Sequence, residues 1–513
     1  MTVSDPSQAV EKIVSVDQLA ESVAAMKAAG KKVVLCHGVF DLLHYGHLLH
    51  FEEARKQGDA LVVTITADAY VNKGPNRPAF TEAYRAKMLA ALEIVDHVAV
   101  NHAPTAVELL KAVRPDVYAK GPDYKDHQAD VTGKIGEEEA AVQAGGGTVY
   151  YTEDLTFSSS AIINRHLSSH SQEVNDYLAE LRATYAPAQV HAALDSLRTM
   201  RVLVVGEAIV DEYVYVDQMG KSAKDPVLAM RYDRTETYAG GALAIANHLA
   251  SFCKSVELVT YLGEHEAQEN FVRSSLRPGV RPNFVIKKNS PTIVKRRYVE
   301  ATYKTKLFEV YRFNDIPLEN GDEHALCELL EARLGSADAV VVADFGHGLL
   351  GRHAKRLLTE CGQFLAVNTQ INAANIRFHA ISSYPRADYV CINEGELRLD
   401  ARDRDAPLET LVESLSKKLQ CTRFLVTRGA GGVVYHDPSG RYESPALATK
   451  IVDRIGAGDA LLALTAVSAA AGAPPDVIAF IANVVGAQQV RAMGNSVSVE
   501  RVPTLKFIQA LLK

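Results

Sequence analysis

Two histidines three residues apart, His44 and His47, form the most chemically suggestive pattern in this chain of 513 residues. They lie between an apolar run, residues 31–36, and a segment with helical periodicity that begins at Leu48. This order predicts a strand that leads into a helix N-terminus, where unpaired backbone N–H groups favour a phosphate. Side chains at i and i+3 share a helix face, so both imidazoles can donate to phosphate oxygens during an in-line displacement. Two solvated histidines at a helix start are the alternative.

A second pattern with chemical potential precedes a long helix of small residues near the end of the chain. Gly456, Ala457 and Gly458 are small enough for backbone N–H groups at a helix start to converge on a phosphoryl group. Asp459 follows and can take the proton of an attacking hydroxyl. The alternative is an ordinary helix cap. Three further patterns favour the catalytic interpretation: Gly240-Gly241, the N-x-x-E pair Asn393/Glu396, and the glycine turn after Thr427.

The elements that must position these residues alternate between apolar runs and helical segments. This alternation predicts an α/β fold with two doubly wound parallel sheets, whose functional loops lie at the carboxyl ends of the strands. We expect an N-terminal tail and helix (1–30), a first α/β domain (31–167), a helical linker (168–199) and a second α/β domain (200–513). Apolar and polar residues alternate between Tyr213 and Asp233, which predicts an edge hairpin or lid.

Composition narrows the class of protein. The length exceeds that of one ordinary core, and 47% hydrophobic with 23% charged residues is typical of a soluble globular enzyme. A net charge of −7 argues against nucleic acid as a partner, and no apolar run reaches the ~18 residues that would span a membrane. The six cysteines are widely spaced and the N-terminus lacks a signal-peptide pattern, so we expect reduced thiols and a cytoplasmic protein.

The first domain resembles the cytidylyltransferase-like nucleotidyltransferases, whose signature is H-x-G-H after a G-x-F-D turn. The turn residues are Gly38, Phe40 and Asp41, and the resemblance makes His44 and His47 catalytic. It also implies that several loops bind a nucleotide, ATP or CTP, and close over its triphosphate. The implied ligands are Lys73 and Arg77 in a basic loop, Arg85 in the next helix, Lys120 in the Lys120–Tyr124 loop, and Ser159 and Ser160 in a serine turn. Taken singly, Lys73, Arg77 or Lys120 can equally be interpreted as a solvated surface charge.

The second domain resembles the ribokinase-like, or phosphofructokinase-B type, sugar kinases over essentially its whole length. The resemblance makes Asp459 the catalytic base and Gly456 to Gly458 an anion hole, while Glu396 with Asn393 organises Mg²⁺ through water. It places a further set near ATP (Asn393, Thr427, Gly429, Gly432 and Asn483) and another against the sugar (Asp211, Gly240 and Gly241). The lid would cover the sugar, and in this family it commonly also forms a dimer.

Both domains in one chain resemble the bifunctional heptose-7-phosphate kinase and heptose-1-phosphate adenylyltransferase family. The resemblance implies that MgATP phosphorylates a heptose-7-phosphate-like sugar phosphate. The sugar 1-phosphate then receives AMP or CMP with release of pyrophosphate, which gives an activated sugar for polysaccharide or glycoconjugate synthesis. The domain order is reversed relative to the usual fusion. Three departures leave the sugar open: His347 replaces a common lysine, residues 368–370 replace Asp-Pro-Lys, and Ala244 replaces a frequent asparagine.

Two other functions stay open at this stage. One is a polyol-phosphate cytidylyltransferase fused to a kinase of another sugar, because the HYGH sequence also suits that branch. The other is a ligand sensor whose kinase half has lost turnover. The intact Asp459 and its anion hole weigh against the sensor.

Overall fold

The computed structural model describes residues 10–74, 77–122, 134–153, 170–373, 375–376 and 379–513. These residues form two compact units. The first comprises the described residues up to Ser171 together with Leu178–Ala188 and Val502–Lys513. The second comprises Gln172–Tyr177 and Gln189–Arg501.

The first unit contains a six-stranded sheet of order β1-β4-β3-β2-β5-β6, and every paired strand is parallel. Its strands are β1 (Ile13–Val14), β2 (Val33–Gly38), β3 (Ala60–Thr66), β4 (His97–Asn101), β5 (Val117–Lys120) and β6 (Thr148–Tyr151). Among the described residues before Arg201, the α-helices are α1 (Val16–Ala28), α2 (Tyr45–Arg55), α3 (Glu82–Ala90), α4 (Val107–Val113), α5 (Ile135–Ala144), α6 (Gln172–Thr184) and α7 (Pro187–Asp195).

The core of the first unit explains why its strands read as continuous apolar runs. β2 and β3 are central and buried on both faces, as expected for parallel strands covered by helices. One buried cluster joins the sheet to α2 and α3, and the other joins it to α1, α4 and α5. The strand order reverses between β2 and β5, so the carboxyl ends of these two strands flank the crevice in which such sheets bind ligands.

The second unit contains a nine-stranded sheet of order β11-β10-β7-β14-β15-β16-β17-β18-β19. Its strands are β7 (Arg201–Gly206), β10 (Ser255–His265), β11 (Val280–Pro291), β14 (Ala339–Asp344), β15 (Phe364–Thr369), β16 (Tyr389–Asn393), β17 (Phe424–Thr427), β18 (Val433–Asp437) and β19 (Gly440–Ser444). Seven of these are parallel, while β18 and β19 continue the edge antiparallel.

A separate four-stranded sheet of order β13-β12-β8-β9 supplies the predicted lid. Its strands are β8 (Ala208–Lys221), β9 (Leu228–Gly241), β12 (Ile293–Glu300) and β13 (Lys306–Arg312). β8 and β9 pair antiparallel along their length, which is the hairpin that the alternation from Tyr213 to Asp233 predicts. The predicted fold class, two doubly wound parallel sheets with a β lid, is therefore confirmed.

The remaining helices are α8 (Ala242–Leu249), α9 (Glu269–Ser275), α10 (Asn320–Leu334), α11 (Arg352–Glu360), α12 (Glu394–Ala401), α13 (Leu408–Leu419), α14 (Ala457–Ala470), α15 (Pro475–Gln489) and α16 (Arg501–Leu512). The stretch predicted as a linker contains α6 and α7. From Val502 onward α16 belongs to the first unit. Among the helices of the described residues, none has the length and apolar character needed to cross a membrane.

Candidate active sites in the two units

The two histidines of the first unit lie together at the start of α2. His44 is the N-cap of this helix and His47 occupies its first turn. Their rings stack with centroids 3.9 Å apart, and the His44 backbone N–H donates to His47 Nδ1 at 3.3 Å. The structure therefore brings the predicted catalytic pair onto one face, directly after the carboxyl end of β2.

Both histidines are neutral near pH 7. Burial lowers the pKa of His44, and the charge of Lys73 adds to the effect. Burial, assisted by His44, His50 and Lys73, lowers the pKa of His47 to about 3. A neutral imidazole keeps one ring N–H to donate, so each histidine can offer a hydrogen bond to a phosphate oxygen.

The G-x-F-D turn shapes the floor beneath these rings. Phe40 adopts a positive φ of 46° and meets the His47 ring edge-on at 5.3 Å. A Cβ at Gly38 would lie 3.1 Å from Cζ of Phe40, so a larger residue would push this ring. Asp41 is fully buried and accepts hydrogen bonds from Ala79 N–H at 2.6 Å and Phe80 N–H at 3.3 Å. The turn is thereby held against the chain that follows the basic loop.

The two cations of the predicted basic loop converge on the same region. Arg77 Nε lies 3.1 Å from Asp41 Oδ2, which joins the loop to the G-x-F-D turn. Burial, followed by the charge of Arg77, lowers the pKa of Lys73 to about 8. Lys73 also lies close enough to depress the pKa of both His44 and His47. Two crowded cations beside neutral imidazoles are suited to an anion such as a triphosphate.

Arg85 is directed elsewhere. Its guanidinium is fully buried and donates to the carbonyl oxygens of Phe80 at 3.0 Å, Val39 at 2.5 Å and Thr66 at 2.8 Å. It also donates to Asp68 Oδ1 at 2.6 Å. These bonds make Arg85 a structural link between three loops, and its part in nucleotide binding stays a prediction.

Lys120 also has a protein partner. Its Nζ lies 2.8 Å from Glu138 Oε2 and 4.9 Å from the centre of the Tyr118 ring. Tyr118 donates its hydroxyl to the same Glu138 oxygen at 2.9 Å. Sequence reasoning missed Glu138 because it lies on a different helix, with no local pattern that links it to Lys120. Lys120 as a nucleotide ligand stays a prediction, as do Ser159 and Ser160, which lie outside the described residues.

Asp459 of the second unit stands in the first turn of α14, as the sequence predicts. Burial raises its pKa to about 7, with the charge of Asp211 adding to the shift and Lys295 opposing it. A carboxyl group that titrates near neutral pH is suited to general-base catalysis. Gly456, the residue before the helix, has φ of 83°, and a Cβ there would lie 2.0 Å from Asn495 Oδ1. Both the positive φ and the lack of room for a Cβ therefore require glycine at position 456.

Asp211 and Gly240 of the predicted sugar site are in direct contact. A Cβ at Gly240 would lie 2.2 Å from Asp211 Oδ2, so the glycine leaves room for this carboxylate. Arg297 Nη1 contacts Asp211 Oδ1 at 2.5 Å. Gly241 has φ of 58° and opens α8 beneath the carbonyl of Glu207.

Two buried side chains near this site were missed by sequence reasoning. Lys295 on β12 is close enough to Asp211 and Asp459 for each charge to act on its pKa, which burial lowers. Glu207 is buried and accepts hydrogen bonds from the N–H groups of Phe345 at 2.9 Å and His347 at 3.0 Å. Strand pairing places Lys295 beside Asp211, and the loop after β14 supplies the partners of Glu207, so no local sequence pattern links either residue to the site.

The predicted ATP side of the second unit is built from the ends of β16 and β17. Asn393 caps α12, where its Oδ1 accepts from Gly395 N–H at 2.8 Å and its Nδ2 donates to Thr427 O at 3.2 Å. A Cβ at Gly432 would lie 2.1 Å from Ser444 O, and Asn483 Nδ2 donates to the same carbonyl at 2.8 Å. Gly429 opens the turn of residues 429–431. The structure thus groups Asn393 with Thr427, and Gly432 with Asn483.

Glu396 fits a Mg²⁺ ion held through water. Its two oxygens accept the N–H groups of Ile371 at 3.0 Å and Asn393 at 3.1 Å, which leaves lone pairs for water. No group of three or more His, Cys, Asp or Glu side chains suited to a metal occurs in the described part of the chain. Mg²⁺ commonly takes its remaining ligands from water and substrate phosphates. The arrangement therefore suits an ion that arrives with the nucleotide.

Two of the departures from the kinase pattern, His347 and Ala244, lie in buried positions, whereas Asn368 is half-buried and Gln370 is exposed. His347 is 1% exposed, and its ring lies 4.7 Å from that of Phe313. Ala244 is buried inside α8, and Asn368 Nδ2 donates to Cys391 O at 2.7 Å.

Comparison with known proteins agrees with this division. The family model described as "pfkB family carbohydrate kinase" matches residues 199–501, and the model described as "Cytidylyltransferase-like" matches residues 35–165. The chain is 39% identical over 161 residues to the "Bifunctional protein HldE" of Methylobacillus flagellatus, covering 31% of this chain and 32% of that protein. It is 40% identical over 162 residues to the protein of the same name from Citrifermentans bemidjiense, covering 31% and 32%. The chain thus aligns with about a third of the length of these curated relatives, through its N-terminal region.

Among solved structures, phosphofructokinase-2 from Escherichia coli in complex with potassium is similar with a TM-score of 0.50. The match covers 61% of this chain and 100% of that chain at 15% identity. At this identity the likeness concerns the fold.

Proposed function

The chain belongs to the pfkB family of carbohydrate kinases over residues 199–501, and from this premise we propose that it is a bifunctional enzyme. The second unit phosphorylates a sugar phosphate of the heptose-7-phosphate type with MgATP. The first unit transfers AMP or CMP to the resulting sugar 1-phosphate and releases pyrophosphate. The product is an activated sugar for polysaccharide or glycoconjugate synthesis.

In the kinase step, Asp459 takes the proton of the attacking sugar hydroxyl as that oxygen bonds to the γ-phosphorus of ATP. The bond to the bridging oxygen breaks and ADP leaves. Backbone N–H groups around Gly456, Ala457 and Gly458 receive the negative charge of the transferred group. Asp211 holds a sugar hydroxyl, and Mg²⁺, held through water at Glu396, would supply charge neutralisation at the phosphates.

In the nucleotidyl step, an oxygen of the sugar 1-phosphate attacks the α-phosphorus of the nucleoside triphosphate. The bond to the β-phosphate oxygen breaks, and pyrophosphate leaves with the bonding electrons. His44 and His47 donate their ring N–H groups to phosphate oxygens as charge develops, and the cations Lys73 and Arg77 stabilise the departing pyrophosphate.

One observation carries the proposal: a single chain holds both a stacked histidine pair beside crowded cations and a carboxyl with a raised pKa at a glycine-rich helix start. The relatives named "Bifunctional protein HldE" support the pairing of two activities in one chain.

The decisive experiment incubates the protein with ATP or CTP and a panel of sugar phosphates. Pyrophosphate release reports the first unit, and ADP formation reports the second. We expect ADP formation with a sugar phosphate that is free at its anomeric position, and pyrophosphate release with the corresponding 1-phosphate. Absence of both with every acceptor would refute the proposal.

A second candidate, a cytidylyltransferase acting on a polyol phosphate, is favoured by the description of the family model that matches residues 35–165. Pyrophosphate release with CTP and a polyol phosphate, but not with any sugar 1-phosphate, would establish it. A ligand sensor without kinase turnover would give no ADP with any acceptor.

We further propose that the protein is cytoplasmic and dimerises through the lid sheet. Phe308 and Val310 of β13 are 53% and 48% exposed, and Phe308 stacks on Tyr298 with ring centroids 4.5 Å apart. An apolar strand face of this kind is suited to a second copy of the chain. A monomeric mass in solution at micromolar concentration would contradict it.

A further inference from the structure

The end of the chain, α16, is part of the first unit from Val502 onward, although the second unit precedes it in sequence. Its apolar side chains Leu505, Phe507, Ile508 and Leu511 are buried. Within the first unit, Arg182 of α6 donates through Nε and Nη2 to the carbonyl of Leu511 at 3.0 and 2.7 Å. Residues 502–513 lie outside both matched family segments. The two family matches therefore assign no role to this part of the helix.

Phe507 of this helix packs directly on the basic loop. Gly74 has φ of 94°, and a Cβ there would lie 2.0 Å from Phe507 Cδ2 and 2.4 Å from Cε2. The ring thus lies against the backbone of the residue next to Lys73. Because Phe507 is 2% exposed and buried in the helix interface, it fixes the position from which the Lys73 side chain leaves the loop.

This helix and the residue after it, Lys513, also bring positive charge to the loop. Lys506 and Lys513 both lie close enough to Lys73 to lower its pKa, as Arg77 does from within the loop. Cations gathered at one place repel each other, and they are stabilised when an anion binds among them. A triphosphate at the histidine pair is an anion of this kind.

We propose that α16 is a component of the nucleotide-binding site of the first unit. In this arrangement Phe507 is a positioning residue for residues 71–74, and Lys506 contributes positive charge that attracts the triphosphate. The inference rests on the nucleotidyl transfer proposed above and adds to it a segment that follows the kinase in sequence.

The test compares four variants of the full chain: Phe507→Ala, Phe507→Leu, Lys506→Gln and, as a control in the same helix, Gln509→Ala. Initial rates of pyrophosphate release give kcat and KM for the nucleoside triphosphate, and ADP formation gives the kinase rate. We expect Lys506→Gln to raise KM about threefold or more with little change in kcat, because it removes a charge and not a contact with the reacting atoms. Phe507→Ala should lower kcat/KM about tenfold or more, because a displaced Lys73 no longer meets the phosphates.

Phe507→Leu should restore most of this loss, since leucine can still cover Gly74, and Gln509→Ala should behave as the unchanged protein. Kinase rates should be the same in all four. The proposal is overturned if Lys506→Gln leaves KM unchanged and Phe507→Leu and Phe507→Ala are indistinguishable from each other. If Phe507→Ala does not fold, an unchanged KM in Lys506→Gln overturns the proposal by itself, because this substitution removes no buried apolar group.

A protein that transfers no nucleotide to any acceptor would refute the proposed function rather than the role of α16. In that case the quantities to measure are amide hydrogen exchange at residues 71–74 and the affinity for ATP and CTP, in place of the rates of pyrophosphate release. Faster exchange in Phe507→Ala and weaker binding in Lys506→Gln would support the inference. Unchanged exchange together with unchanged binding would overturn it.

Discussion

Asp459 and His47 show how one physical cause acts in opposite directions on acids and bases. Burial raises the pKa of Asp459 to about 7 and lowers the pKa of His47 to about 3, because in both residues it disfavours the charged form. Around neutral pH Asp459 can therefore accept a proton, while His47 is an uncharged donor. Each shift suits the role that we propose for the residue.

Asp459→Asn should lower the rate of sugar phosphorylation by about 10²-fold or more, because the amide keeps the shape of the side chain but cannot accept the proton. Steady-state ADP formation measures the effect, and the affinity for ATP should be retained. Pyrophosphate release with an already phosphorylated sugar is the internal control. Near-normal kinase rates would mean that Asp459 only caps its helix, since asparagine is an equally good cap.

The same substitution should change stability in a way that depends on pH. The folded pKa of Asp459 is raised above its ordinary value of 3.8 to about 7, so the folded state binds this proton more tightly than the unfolded state. The contribution to stability is present below pH 3.8 and is lost as the pH rises toward 7. Asp459→Asn removes this loss. The Tm of the variant minus the Tm of the unchanged protein should therefore increase as the pH is raised from 4 to 8. A difference in Tm that does not change with pH would contradict the raised pKa of Asp459.

At the scale of elements, most of what could be predicted from the sequence comes from buried parallel strands. The run from Ala60 to Thr66 is apolar without alternation, which predicts a buried parallel strand, and it forms β3. Helix starts that are marked by glycine and small residues, as at α14, were also predictable. In both cases the sequence pattern is local. The partners of Arg85 and Lys120 could not be predicted from the sequence. Asp68 contacts Arg85, and Glu138 contacts Lys120, only because separate elements pack together.

Gly456 and Gly458 provide a matched pair for testing the start of α14. Gly456→Ala places a Cβ at positive φ and 2.0 Å from Asn495 Oδ1, so we expect it to lower the Tm and the free energy of unfolding by more than about 1 kcal/mol. Gly458→Ala meets no atom within 4 Å and lies inside the helix, where alanine is favoured. It should leave the Tm unchanged or raise it slightly. Equal losses in the two variants, measured by thermal unfolding, would refute the geometric argument.

The capping box of α12 ties metal use to a helix start. Glu396→Gln keeps one acceptor oxygen for the N–H groups of Ile371 and Asn393, places an NH₂ donor against the other, and removes the negative charge that would orient the water around Mg²⁺. We expect kinase activity to require a higher Mg²⁺ concentration, together with a lower Tm because one backbone N–H loses its acceptor. Titration of kinase rate against Mg²⁺ checks this. An unchanged titration would show that Glu396 serves α12 alone.

At the scale of the whole molecule, the two sets of residues that we propose as catalytic belong to different compact units. His47→Ala should therefore abolish most nucleotidyl transfer, about 10²–10³-fold, because it removes a donor to the charge that develops at phosphorus. The kinase rate should stay within twofold, or about 0.4 kcal/mol in activation free energy. His50→Ala is a useful companion, since His50 acts on the pKa of His47 without belonging to the signature. A parallel fall in both activities for His47→Ala would argue against independent sites.

The membership of α16 in the first unit has a consequence for how the protein is made. A ribosome adds about 5–20 residues per second, so roughly half a minute separates the emergence of Ser171 from that of Val502. During this interval the nascent first unit lacks the helix whose Phe507 ring lies against Gly74. If separate genes encoded residues up to Ser171 and the residues after it, the first unit would be synthesised without α16. The fusion of the two coding regions therefore does more than keep two enzymes at equal abundance, since it delivers the final piece of the earlier domain to the molecule that needs it.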